Sequence, residues 1–114
     1  MIQAVYDKEN HSLTMDGHAG AGPIGYDLVC SSASILAYTL GANVSQMEAL
    51  GQAEVMHLDL QSGHAEIVCK PGAKSATIVG LVFDAICVGF EMLARAYPQY
   101  ISYKVVGSGI ENDE

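Results

Sequence analysis

The chain has 114 residues, half of them hydrophobic and only 16% charged, which is enough for one domain with one core and too little for two. Thirteen acids against five bases give a formal net charge of −8. This argues against nucleic acid as a direct ligand, because phosphate contacts need Lys and Arg, and makes a basic protein or peptide the more natural partner.

Met1 to Tyr6 has no basic region followed by an apolar core, so no signal-peptide pattern is visible. The three cysteines are an odd number without a disulfide framework, and a reducing cytoplasm is expected. Ile2 to Lys8 alternates as a strand, Glu9-Asn10 reads as a turn, and His11 to Asp16 as the returning arm of a hairpin, with His11 exposed. Gly17 to Gly25 holds four glycines and Pro23 and reads as a loop. Asp27 is an N-cap candidate for a first helix, whose stripe is Val29, Ala33, Leu36 and Leu40, widened by Leu28 and Ile35. That helix ends at Gly41 or runs on toward Met47. Gly51 to Glu54 reads as a linker.

Val55 to Leu60 alternates as a third strand, Gln61-Ser62-Gly63 is a turn, and His64 to Lys70 forms the second arm. Lys74 to Tyr97 reads as a second helix, apolar almost all round, with Asp84, Glu91 and Arg95 on one narrow face. Its stretch from Ala76 to Ala94 is interrupted by Asp84 and Glu91 and weakened by Gly80 and Gly89, so no membrane span is expected, since a span needs about 20 residues with few or no charges. Pro98 stops this helix, Ile101 to Val106 reads as a last strand, and Gly107 to Glu114 as a disordered acidic tail. Residues 1–106 are thus expected to form one α/β (α+β) domain, a two-layer sandwich of two helices on one mixed or antiparallel sheet. A charge content this lean, against about 25% in typical soluble domains, leaves apolar surface to cover, and a homodimer is expected.

The chemistry concentrates in one segment. His18 precedes Cys30 by twelve residues, and with Asp27 as N-cap Cys30 is the third helical residue. A thiol there sits in the positive field of a helix N-terminus, which favours the nucleophilic thiolate. Its own N–H, among the unpaired donors of the first turn, is a candidate oxyanion-hole group. An imidazole delivered by the loop completes a Cys/His pair that takes the thiol proton and returns it to a leaving amine. Ser34 lies one turn after Cys30, suited to hydrogen-bond substrate or water. Asp27 either caps the helix or orients His18.

Other constellations are weaker. Gly20 to Gly25 matches G-x-G-x-x-G, but the chain is too short for a doubly wound domain and lacks the acid at the end of a second parallel strand. Its glycines read as a loop flexing around substrate. Cys69 and Cys87 occupy core-facing positions. His57 and His64 face each other across the second hairpin with no third ligand at typical spacing, so no metal and no cofactor is expected.

Gly17-His18-Ala19, then Gly25-Tyr26-Asp27-Leu28-Val29-Cys30-Ser31-Ser32-Ala33-Ser34, resembles the ribosomal-processing cysteine proteases called Prp. Their pattern is Gly-His-Ala, a variable loop, Gly-x-Asp, two aliphatics, Cys, and Ser four residues on. The resemblance implies a homodimeric endopeptidase that removes a short N-terminal extension from a large-subunit ribosomal protein precursor. It implies that His18 and Cys30 are the catalytic pair, that Asp27 and Ser34 accompany them, and that Gly17, Ala19, Gly20, Gly22 and Gly25 belong to a segment ordering over substrate. An apolar pocket is expected, because the family's cut lies beside aromatic residues. The competing reading is a non-enzymatic ribosome-assembly adaptor for the same basic partner, with His18 and Cys30 merely structural.

Overall fold

A computed structural model of the protein describes residues 1–23 and 27–107. Its elements are β1 (Ile2–Asp7), β2 (Ser12–Asp16), α1 (Leu28–Ala49), β3 (Ala53–Gln61), β4 (His64–Pro71), α2 (Ala76–Ala96) and β5 (Ile101–Val106). The strands form one open sheet in the order β3-β4-β2-β1-β5. All pairs are antiparallel except β1 with β5. The sheet is therefore mixed, and both helices pack on one of its faces. The acidic tail from 108 onward, like 24–26, lies outside the described residues.

Period-2 alternation sends Ile2, Ala4 and Tyr6 of β1, Leu13 and Met15 of β2, and Ala65, Ile67 and Cys69 of β4 into the core. Phe83 and Phe90 of α2 and Leu40 and Val44 of α1 cover them from the helix layer. Tyr6 stacks on Phe83, with ring centroids 5.8 Å apart, and its hydroxyl donates to Asp84 Oδ1 at 2.7 Å. That bond explains an acid in so apolar a helix: the buried phenol needs a polar partner. On the outer surface of α2, Arg95 bridges Glu91 one turn earlier at 3.0 Å.

Helix α1 does not stop at Gly41. Gly41 is buried, and a Cβ there would sit 3.2 Å from Cδ1 of both Leu58 and Leu60. The glycine lets the helix lie close to the β3–β4 hairpin, and this packing offsets its poor helix propensity, about 1 kcal/mol against Ala. Gly41→Val, which overpacks this contact, is expected to cost about 1–3 kcal/mol, checked by the denaturant midpoint. The helix ends instead at Gly51, whose φ of +75° permits the left-handed cap. The Gly51 N–H then donates to Glu48 and the Gln52 N–H to Met47.

Several expectations need correction. The buried stripe of α1 is Val29, Ala33, Ala37, Leu40, Val44 and Met47. Leu28 and Ile35 face outward, at 76% and 61% exposure, because the alanine-rich face alone fits closely against the sheet. The supposed linker Gly51 to Glu54 already contains the start of β3 at Ala53. His11 is not an exposed strand residue. It lies in the β1–β2 turn at φ +50°, half-buried edge-on against Phe83. That contact strips it of water and holds its imidazole below the ordinary value. His57 and His64 do not face each other. The two-residue turn Ser62-Gly63 sets Gln61 opposite His64 and hence His57 opposite Val68.

Candidate active site

Strand β2 delivers the chain to the site. After Asp16 the backbone turns at Gly17, whose φ of +103° and close approach to the Met1 carbonyl leave no room for a side chain. Gly17 N–H donates to the Gly63 carbonyl of the β3–β4 turn at 2.9 Å. His18 follows, exposed, with its ring against Gly63. Ala19 turns inward, and its N–H donates to Cys30 Sγ at 3.2 Å.

Helix α1 delivers the thiol. Leu28, Val29 and Cys30 are its first three residues, so Cys30 stands at the N-terminal end of the dipole, half-buried. Asp27 is the N-cap. Its Oδ1 accepts from the N–H groups of Val29 and Cys30, both at 3.0 Å, and its Oδ2 accepts from Ala21 at 2.8 Å. Asp27 therefore caps the helix and anchors the loop: among the described residues, its hydrogen bonds go to the helix start and to the loop. Chiefly the Cys30 N–H, with those of Ala21, Val29 and Gly22, holds the Asp27 carboxyl below its ordinary value, against the opposing effect of burial. The anchor is thus complete above about pH 3.8, the ordinary value, and is lost as pH falls through the lower folded value.

The same bonds correct one expectation. The Cys30 N–H is committed to Asp27 and is not a free oxyanion-hole donor. The Ala19 N–H stands at the Cys30 sulfur instead. Asp27→Ala is expected to lower kcat/KM about 10²-fold through misplacement of thiol and loop, with a lower melting temperature. Asp27→Asn, which keeps the Oδ1 acceptor, should retain most of the stability; paired kinetics and thermal melts check both.

His18, Gly20, Gly22, Asp27, Cys30, Ser31 and Ser62 line one cleft of about 420 Å³. Of the residues singled out from the sequence, the fold brings His18, Gly20, Gly22, Asp27 and Cys30 together there. Ser34 lies one turn along α1, half-buried and outside the cleft lining. Gly25 lies outside the described residues. Sequence reasoning missed Ser31, Ser62 and Gly63. The last two sit in a turn that only the pairing of Asp16 with His64 across β2 and β4 carries to the site.

The other two thiols differ in kind. Cys69 and Cys87 are fully buried, and burial pushes their ionisation up to about 11 and about 12. Only Cys30 among the three meets solvent, a histidine-lined cleft and backbone donation. Among the described residues no group of three His, Cys, Asp or Glu is arranged to hold a metal ion. His57 pairs with Glu66 at 3.2 Å, and His64 pairs with Asp16.

A family model described as cysteine protease Prp matches residues 1–102. Among solved structures, SMU.848 from Streptococcus mutans is similar at 28% identity and TM-score 0.68, covering 93% of this chain and 94% of that one. An essential ribosomal processing protease Prp from S. aureus, in complex with a covalently linked product peptide, is similar in fold at 22% identity and TM-score 0.71, covering 92% and 99%. The same protease in complex with a substrate peptide has 22% identity and TM-score 0.66, with the same coverage. No curated protein sequence matches the chain.

Proposed function

Because the chain belongs to the cysteine protease Prp family, and is itself a cysteine protease, we propose that it removes a short N-terminal extension from a large-subunit ribosomal protein precursor, with Cys30 as nucleophile and His18 as general acid–base. The observation that carries this reading is the shared cleft. The Cys30 thiol at the start of α1 and the imidazole of His18 both line it, and a backbone N–H points at the sulfur.

In the proposed reaction, His18 takes the thiol proton and Sγ attacks the scissile carbonyl carbon. The tetrahedral oxyanion collapses as His18 returns the proton to the leaving amine, and a thioester remains on Cys30. Water, deprotonated by His18, then attacks the thioester and releases the carboxylate product and the thiol. The Ala19 N–H loses its anionic partner when Sγ forms the new bond, and is then available to the developing oxyanion.

The substrate class draws support from charge and from likeness. A net charge of −8 suits a basic ribosomal protein, mainly by speeding encounter. The similar S. aureus protease is a ribosomal processing enzyme captured with peptide. The adaptor alternative leaves the thiol donor geometry at Cys30 without a purpose. Incubation with an extended ribosomal protein precursor, followed by mass spectrometry, tests the proposal. One shortened product and its released peptide are expected, and an intact precursor refutes the substrate.

A cytoplasmic homodimer completes the reading. Ile35 of α1 and Leu81, Val88 and Met92 of α2 are each at least half exposed on the helix layer, an apolar surface that a second copy would cover. Sedimentation at micromolar concentration should give twice the monomer mass, and monomer alone would refute the dimer.

A further inference from the structure

We infer that the β3–β4 turn is a positioning element for catalysis, in which Gly63 is the floor that sets the His18 imidazole and the Asp16–His64 pair is the clamp that holds that floor against β2. The inference rests on the proposed role of His18 as general acid–base.

Gly63 has a φ of +76°, and its missing side chain is the space that His18 uses. A Cβ there would lie 2.5 Å from His18 Nε2 and 2.9 Å from Cε1. The imidazole therefore rests on the backbone of the turn, at a distance that only glycine allows. His18 is otherwise exposed, and an exposed ring with no floor divides its time among several rotamers. Holding it in one of them is the kind of placement on which rate depends steeply.

Two ties fix the floor. The Gly17 N–H donates to the Gly63 carbonyl at 2.9 Å, and His64 Nδ1 meets Asp16 Oδ1 at 2.5 Å. They flank the contact on both strands: Asp16 and Gly17 lead into His18, and His64 follows Gly63. His64 Nε2 also lies 3.6 Å from Asp59 Oδ2 of β3. Glu66 of β4 is engaged by His57. The charged groups around the His64 ring are thus Asp16, Asp59 and Glu66, all acidic, and they favour its protonated form.

Gly63→Ala is expected to lower kcat about 10- to 10²-fold with a smaller change in KM. Gly51→Ala is the matched control, because Gly51 has a φ of +75° with open space where a Cβ would go. It carries the same backbone strain and should keep wild-type kcat. His64→Phe should also lower kcat, and His64→Asn, whose side-chain amide can donate to Asp16 in place of Nδ1, should restore most of it. This second pair decides the matter if Gly63→Ala does not fold. Wild-type kcat in folded Gly63→Ala, or equal losses in His64→Phe and His64→Asn, would overturn the inference while Cys30→Ala stays inactive. Activity retained by Cys30→Ala would instead overturn the reading beneath it.

Discussion

Replacing Cys30 by alanine is expected to lower kcat/KM for peptide cleavage by about 10⁴-fold or more, with little change in the melting temperature. With Cys30 Sγ as the proposed nucleophile, its removal ends the covalent route. The fold should tolerate the loss. Cys30 is half-buried at the edge of the core, and the helix start is held by Asp27 through backbone N–H groups that alanine retains. Cys30→Ser keeps the shape but offers a hydroxyl far harder to ionise, and should be nearly as inactive. Cleavage kinetics beside a thermal melt check both halves, and full activity with an intact fold would defeat the assignment of the nucleophile.

His18→Ala carries the second largest expected effect, a fall in kcat of about 10²- to 10⁴-fold. The imidazole is exposed, so alanine leaves no cavity and stability should hold. What disappears is the group proposed to accept the thiol proton and return it to the leaving amine. KM should move far less than kcat, since the cleft walls from Gly20, Gly22, Ser31 and Ser62 remain. A variant that instead raises KM alone would show His18 to be a binding residue.

The candidate site's main segment was legible in the sequence because it is local. His18, the glycine loop, Asp27 and Cys30 fall within thirteen consecutive residues, and a helix cap fixes the last two relative to each other. The strand and helix order was legible for the same reason, since alternation and helical spacing are properties of short windows. Three features were not. The use of Asp27 depends on where the loop runs, and Ala21 N–H on Oδ2 makes it a loop anchor as well as a cap. The floor beneath His18 depends on β2 pairing with β4 across 48 residues, from Asp16 to His64, and no local pattern encodes that adjacency. The outward-facing Leu28 and Ile35 look like core from spacing alone. Only the close seat of the alanine face on the sheet shows that the helix has no need of them there.

Two histidines illustrate how register decides meaning. A turn placed one residue earlier would bring His57 and His64 closer to opposition. The observed turn at Ser62-Gly63 gives each its own carboxylate instead. The hydrogen bond to Asp16, with Asp59 and Glu66 adding to it, holds His64 above the ordinary imidazole value of 6.5 against the opposing effect of burial. A raised value means that the protonated form favours the fold. This contribution is complete below about pH 6.5 and is lost as pH rises through the folded value.

Thiol alkylation followed by peptide mapping tests the nucleophile most directly. Iodoacetamide at pH 7 should modify Cys30 alone, in step with the loss of cleavage, while Cys69 and Cys87 stay unlabelled in the folded protein. Complete modification of Cys30 with cleavage undiminished, or inactivation that follows Cys69 or Cys87 instead, would contradict the account.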